Sequence, residues 1–123
     1  MTKAYIEHTA VFVTDVEWYV EFFHQTLGFT ERLRKEEPDQ PKQVWLYGGI
    51  QLIESTENQD SGKLGHLGIM VDDQQAVLKK INRYPVKVLP QGENWLQLPD
   101  GLCIEILQAA PGSIEEVLQA KPW

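Results

Sequence analysis

Cysteine is nearly absent from this chain: Cys103 is the single example among 123 residues. One thiol can form neither an internal disulfide nor a paired-cysteine metal motif, so a reducing cytoplasm is the expected home. Positive charge is also scarce, with 11 Lys and Arg against 18 Asp and Glu and a formal net charge of −7. That balance argues against nucleic acid and anionic membranes as partners. No apolar run is long enough to span a bilayer. The opening Met-Thr-Lys-Ala-Tyr-Ile-Glu-His lacks the apolar core of a signal peptide. There is no phosphate-cradling glycine loop and no nucleophile elbow, which weighs against nucleotide enzymes and serine hydrolases.

What remains is an ordinary globular composition, 42% hydrophobic and 24% charged. Its length suits one domain over 1–123 with a core that needs no staples. Two stretches of that domain repeat. Ile6-Glu7-His8-Thr9-Ala10-Val11-Phe12-Val13 is echoed by Leu64-Gly65-His66-Leu67-Gly68-Ile69-Met70-Val71, and Gly49-Ile50-Gln51-Leu52-Ile53 by Cys103-Ile104-Glu105-Ile106-Leu107. The offsets nearly agree, 58 residues from His8 to His66 and 54 from Gln51 to Glu105. Each echo sets a polar, metal-capable side chain inside an apolar run, as a duplicated module would if it placed four ligands around one ion.

The spacing predicts the same element order twice. Residues 5–13 read as a strand. Thr14 or Asp15 caps a helix carrying Val16, Tyr19, Val20, Phe23 and Leu27 at helical intervals, and Gly28 ends it. Strands follow over 29–35, 43–47 and 49–54, with a polar turn at 36–42. After a linker over 55–63, strand 64–71 leads to a helix capped by Asp72 or Asp73, with Val77, Leu78 and Ile81 facing inward. Strands at 85–89, 95–98 and 102–107 complete the second half. Beyond Pro111, Ser113-Ile114-Glu115-Glu116 reads as a capping box for a terminal helix near 112–120. The expected fold is α+β: two βαβββ modules, about 5–54 and 64–108.

Alternation within strands sorts the polar residues by face. In the last strand Leu102, Ile104 and Ile106 share the face toward a helix, and Cys103, Glu105 and Leu107 share the other. By the same parity Gln51 and Ile53 point away from the helix side, whereas Glu54 falls with Ile50 and Leu52. Glu54 is the alternative ligand by chemistry; alternation favours Gln51. Two imidazoles, one carboxylate and one amide oxygen suit a borderline divalent ion with positions left for water or substrate. The formal charge of such a site is roughly +1, which favours an oxyanion such as an enolate. His24 lies off the apolar stripe and reads as solvated. Tyr19, Phe22 and Phe23 read as helix packing, and Trp45, Tyr47 and Trp95 as core or pocket walls. Cys103 reads as a small buried thiol or a cavity wall.

These residues together resemble the vicinal oxygen chelate superfamily, which contains glyoxalase I, methylmalonyl-CoA epimerase, fosfomycin-resistance transferases, extradiol dioxygenases and bleomycin-binding proteins. The resemblance rests on His8 followed by Val11 and Val13, and on Trp18-Tyr19-Val20-Glu21-Phe22-Phe23 leading into Leu27-Gly28-Phe29. It rests also on Gly65-His66 ahead of Ile69 to Asp72, and on Leu98-Pro99-Asp100-Gly101 ahead of Glu105. It implies that His8, Gln51, His66 and Glu105 bind one divalent metal ion, which the ligands leave open among nickel, cobalt, zinc, manganese and iron. It also implies that the two βαβββ modules form a curled sheet around a metal cleft, and a homodimer. Most glyoxalase I enzymes use two glutamates in this set, whereas the epimerase type has a glutamine matching Gln51. Gln91 to Trp95 is a clipped turn where many relatives carry a longer loop.

The resulting expectation is a metal-dependent, glyoxalase-like lyase or isomerase acting on a small carbonyl or 2-oxo substrate through a metal-stabilised enolate. Glu105 is the only carboxylate of the ligand set and so the expected proton shuttle; Glu54 and Glu93 are the outlying alternatives. Three other readings share the resemblance: a thiol transferase of the fosfomycin-resistance type, an extradiol-type dioxygenase, and a drug-binding protein without chemistry.

Overall fold

Asp15 marks the passage from the first strand to the first helix. The structure, a computed structural model, describes residues 2–56 and 60–121. β1 (Ala4–Val13) leads to α1 (Val16–Leu27), where the Asp15 carboxylate accepts the Trp18 N–H at 3.1 Å and satisfies a donor the first turn would leave bare. At the other end Gly28 is left-handed, with its N–H donating to His24 O and the Phe29 N–H to Phe23 O. This closure draws Phe29 out of the strand predicted over 29–35, so β2 spans Glu31–Lys35. β3 (Gln43–Leu46) and β4 (Ile50–Glu54) follow, joined through Gly48, where φ is 118° and a Cβ would lie 2.7 Å from the Phe29 ring. Only glycine fits both the angle and the close approach.

The second module repeats this course. β5 (Leu64–Val71) precedes α2 (Gln74–Ile81), capped by Asp73, whose carboxylate accepts the Ala76 N–H at 3.1 Å. β6 (Lys87–Val88), β7 (Trp95–Gln97) and β8 (Cys103–Gln108) complete it, and α3 (Ser113–Leu118) follows. β6 is shorter than the predicted 85–89. Pro85 has no N–H to donate, and both β6 residues are exposed at the end of the sheet. The capping box does not form: Ser113 is already helical, its hydroxyl donates to Ala110 O, and left-handed Gly112 takes the cap position. Glu57, Asn58 and Gln59 of the predicted linker lie outside the described residues.

The strand order is β2-β3-β4-β1-β5-β8-β7-β6. Each module therefore contributes the same four-strand order, and the α+β fold of two βαβββ modules is present. The chain forms two compact units, His8–Gly65 and the residues before His8 together with those from His66 onward. In the first, Val13, Val16, Val44, Leu46 and Leu52 form the core, with Tyr19, Val20 and Phe23 of α1 packed on it. In the second, Val77 and Leu78 of α2 join Val71, Leu96, Ile104 and Ile106. The predicted parity holds in both: the helix takes the face of Leu52 in one unit and of Ile104 and Ile106 in the other. Phe22 departs from the expected packing. It is exposed and stacks on Trp18 at 5.2 Å, because the two lie four residues apart, one turn along the outer side of α1. No helix among the described residues is long and apolar enough to cross a membrane.

Candidate metal centre

Register shows how closely the two modules match. β1 and β4 run parallel with Ala10 opposite Gln51, and β5 and β8 run parallel with Gly68 opposite Glu105. His8 and His66 each stand two residues before that small partner, on the same face. Across the antiparallel ladders Trp45 faces Gln51 and Trp95 faces Glu105. The smaller second offset comes from the stretch between His66 and Trp95, where α2 has 8 residues against 12 in α1; the β7–β8 hairpin, which carries Pro99-Asp100-Gly101, is the longer one and offsets part of the difference.

In the first unit, His8 is 5% and Gln51 3% exposed. Gln51 Nε2 donates to Gln43 Oε1 at 2.8 Å, while Gln51 Oε1 is buried with no hydrogen-bond partner among the described residues. An unsatisfied buried oxygen is costly, and an ion is one of the few occupants that remove the cost. Glu54 takes another path. Its Oε1 accepts the Lys42 N–H at 3.3 Å at the end of β4.

In the second unit, His66 is 8% exposed and its Nε2 lies 3.7 Å from Glu105 Oε1. The Trp95 ring meets the His66 ring edge-on, centroids 4.6 Å apart at 72°. Glu93 is exposed and accepts from Gln75 Nε2 at 3.4 Å. Cys103 is half-buried and its thiol is directed to Gly101 O at 3.6 Å. His24 is exposed on α1, with Nδ1 3.3 Å from Phe29 O.

His8, His66 and Glu105 each offer one ligand atom, and these atoms all lie within 4.8 Å of one another. Two imidazoles and a carboxylate form a donor set for a divalent ion such as zinc, nickel or iron, and the bare Gln51 oxygen suits the same kind of ion. Sequence reasoning missed Gln43, and it named Trp95 as a core or pocket wall without its contact to His66. Alternation and hairpin pairing would have put both on that face, since Trp95 stands opposite Glu105 and Gln43 diagonal to Gln51.

The model of the Glyoxalase/Bleomycin resistance protein/Dioxygenase superfamily matches residues 5–91. The chain belongs to this superfamily. Among solved structures, it is similar to a variant of Streptomyces coelicolor methylmalonyl-CoA epimerase in complex with 2-nitronate-propionyl-CoA. The TM-score is 0.67 at 22% identity, covering 89% of this chain and 96% of that one. It is similar also to methylmalonyl-CoA epimerase from Mycobacterium tuberculosis, with a TM-score of 0.62 at 18% identity over 94% and 91% of the two chains. The 2,3-dioxygenase LapB from Pseudomonas sp. KL28 gives a TM-score of 0.64 at 20% identity, covering 85% of this chain and 42% of that one. At these identities the likeness is one of fold. No curated protein matches the chain. Epimerases and dioxygenases thus share the superfamily fold with this chain, which carries a His-His-Glu group able to bind a metal.

Proposed function

We propose that this superfamily member is a metal-dependent lyase or isomerase acting on a small carbonyl or 2-oxo substrate. One observation carries the reading: two imidazoles and a carboxylate offer ligand atoms within 4.8 Å of one another. His8, Gln51, His66 and Glu105 would hold the ion, the orphaned Gln51 oxygen being the fourth donor. A bound divalent ion would supply Lewis acidity, making a C–H beside a carbonyl easier to ionise. The chain's own residues supply the rest. Glu105, loosened from the ion, would take a proton from the substrate carbon and return it to the neighbouring carbon of the enolate, so that one C–H bond breaks and another forms. Trp95, edge-on to His66 and opposite Glu105, keeps water off one side of that pair and so strengthens its electrostatic interactions. A glutamine in the ligand set favours the epimerase type, so proton exchange beside a thioester or 2-oxo carbonyl is the first reaction to assay.

The test is Glu105→Gln. The amide keeps shape and an oxygen donor but takes up no proton. Turnover is expected to fall by about 10²–10⁴-fold. Full metal content with full activity would end the proposed role.

A second reading has a specific basis. Two histidines and one carboxylate also make the facial set of non-haem iron oxygenases, and the chain is similar in fold to the dioxygenase LapB. Oxygen uptake with iron(II) and a catechol would favour it, and the absence of uptake would leave the lyase or isomerase. We expect a cytoplasmic homodimer; sedimentation of the purified chain as a monomer would contradict the dimer.

A further inference from the structure

We infer that Gln43 is a positioning residue, holding the Gln51 amide in the one orientation that leaves its oxygen, not its NH2, free for a cation. The inference rests on the metal site proposed above. An amide has an acceptor end and a donor end of nearly equal size, so packing alone does not choose between them. Hydrogen-bond partners choose. Gln43 stands two residues from Trp45, the cross-strand partner of Gln51, so the glutamines are diagonal neighbours on one face of β3 and β4. Gln51 Nε2 donates to Gln43 Oε1 at 2.8 Å, and Gln51 Oε1 is left buried without a partner. Turned end for end against the same Gln43 oxygen, the Gln51 amide would set two acceptor oxygens against each other and offer a cation only N–H groups. Gln43 is half-buried, so its own NH2 is within reach of water.

The matching pair in the second module has different chemistry. Glu105 occupies the position matching Gln51, and a carboxylate shows oxygen at both ends, so it needs no such partner. The residue matching Gln43, two before the facing tryptophan, is Glu93, which is exposed and bonded to Gln75 instead.

The test is titration of the full metal-free chain with cobalt(II), followed by its visible absorption and by calorimetry. Gln43→Met removes the acceptor and is expected to weaken cobalt binding about 10- to 100-fold, the usual effect of losing an outer partner of a ligand. Gln43→Glu keeps an acceptor and is expected to bind at least as tightly as the wild type. In a Gln51→Met background, Gln43→Met should change the affinity by no more than about twofold, because the ligand it orients is gone. Unchanged affinity in Gln43→Met overturns the inference. So does an equal loss in the Gln51→Met background, which would mark a general structural effect. A wild-type chain that takes up no cobalt removes the metal site itself and the inference with it.

Discussion

Gln51→Met should make the metal-free protein more stable. Gln51 Oε1 is buried without a partner, and such an oxygen costs about 1–3 kcal/mol. Methionine is close in volume and carries no oxygen, so that cost disappears. Against it stands the lost hydrogen bond to Gln43, worth about 0.5–1.5 kcal/mol, whose acceptor is half-buried and can turn to water. The net gain is about 1 kcal/mol, or roughly 3–5 °C in melting temperature for a chain of this length. Urea unfolding followed by tryptophan fluorescence, with chelator present, measures it. Saturating metal should reverse the order, since the wild type gains about 2.7 kcal/mol at a hundredfold excess over the dissociation constant and the variant less. A metal-free variant less stable than the wild type by about 1 kcal/mol or more would refute the reasoning, because the oxygen would then have a partner worth keeping.

Acid should remove a separate contribution. The Glu17 carboxylate meets Arg34 Nη1 at 2.7 Å and Lys42 Nζ at 3.1 Å. The Arg34 hydrogen bond is the largest influence and holds the Glu17 pKa at about 2, below the ordinary 4.5. A folded pKa depressed in this way gives stability that is whole above about pH 4.5 and is lost as pH falls toward 2. Glu17→Gln should flatten the stability profile in that window, by a small amount because the groups are largely solvated; an unaltered profile would show that the pair contributes nothing. Gly48→Ala should destabilise by about 1–3 kcal/mol, since φ is 118° and the new Cβ meets the Phe29 ring. Guanidinium unfolding checks it, and a neutral result would mean that the turn relaxes freely.

The repeat was legible because each module solves the same problem with the same face assignment. Alternation placed Ile104 and Ile106 under α2 and left Glu105 on the opposite side, and the parallel register then set His66 two residues from its partner. The same rule kept Gln51 apart from Glu54, which bonds to the Lys42 backbone. What escaped the sequence depended on partners distant along the chain. Phe22 has helical spacing compatible with the core, yet Trp18 one turn earlier takes it on the exposed side. Ser113 matches a capping motif, but left-handed Gly112 makes the turn a residue earlier and leaves the hydroxyl to Ala110. Gln43 gave no signal of its own. Its role shows only once β3 and β4 are paired and the Gln51 oxygen is found bare.

Whether His8, His66 and Glu105 share an ion is answered by metal analysis of the chain purified without added metal. One tightly held divalent ion per chain is expected, lost in His66→Ala while the metal-free fold persists. Wild-type protein that carries no metal and takes none up from solution would contradict that expectation.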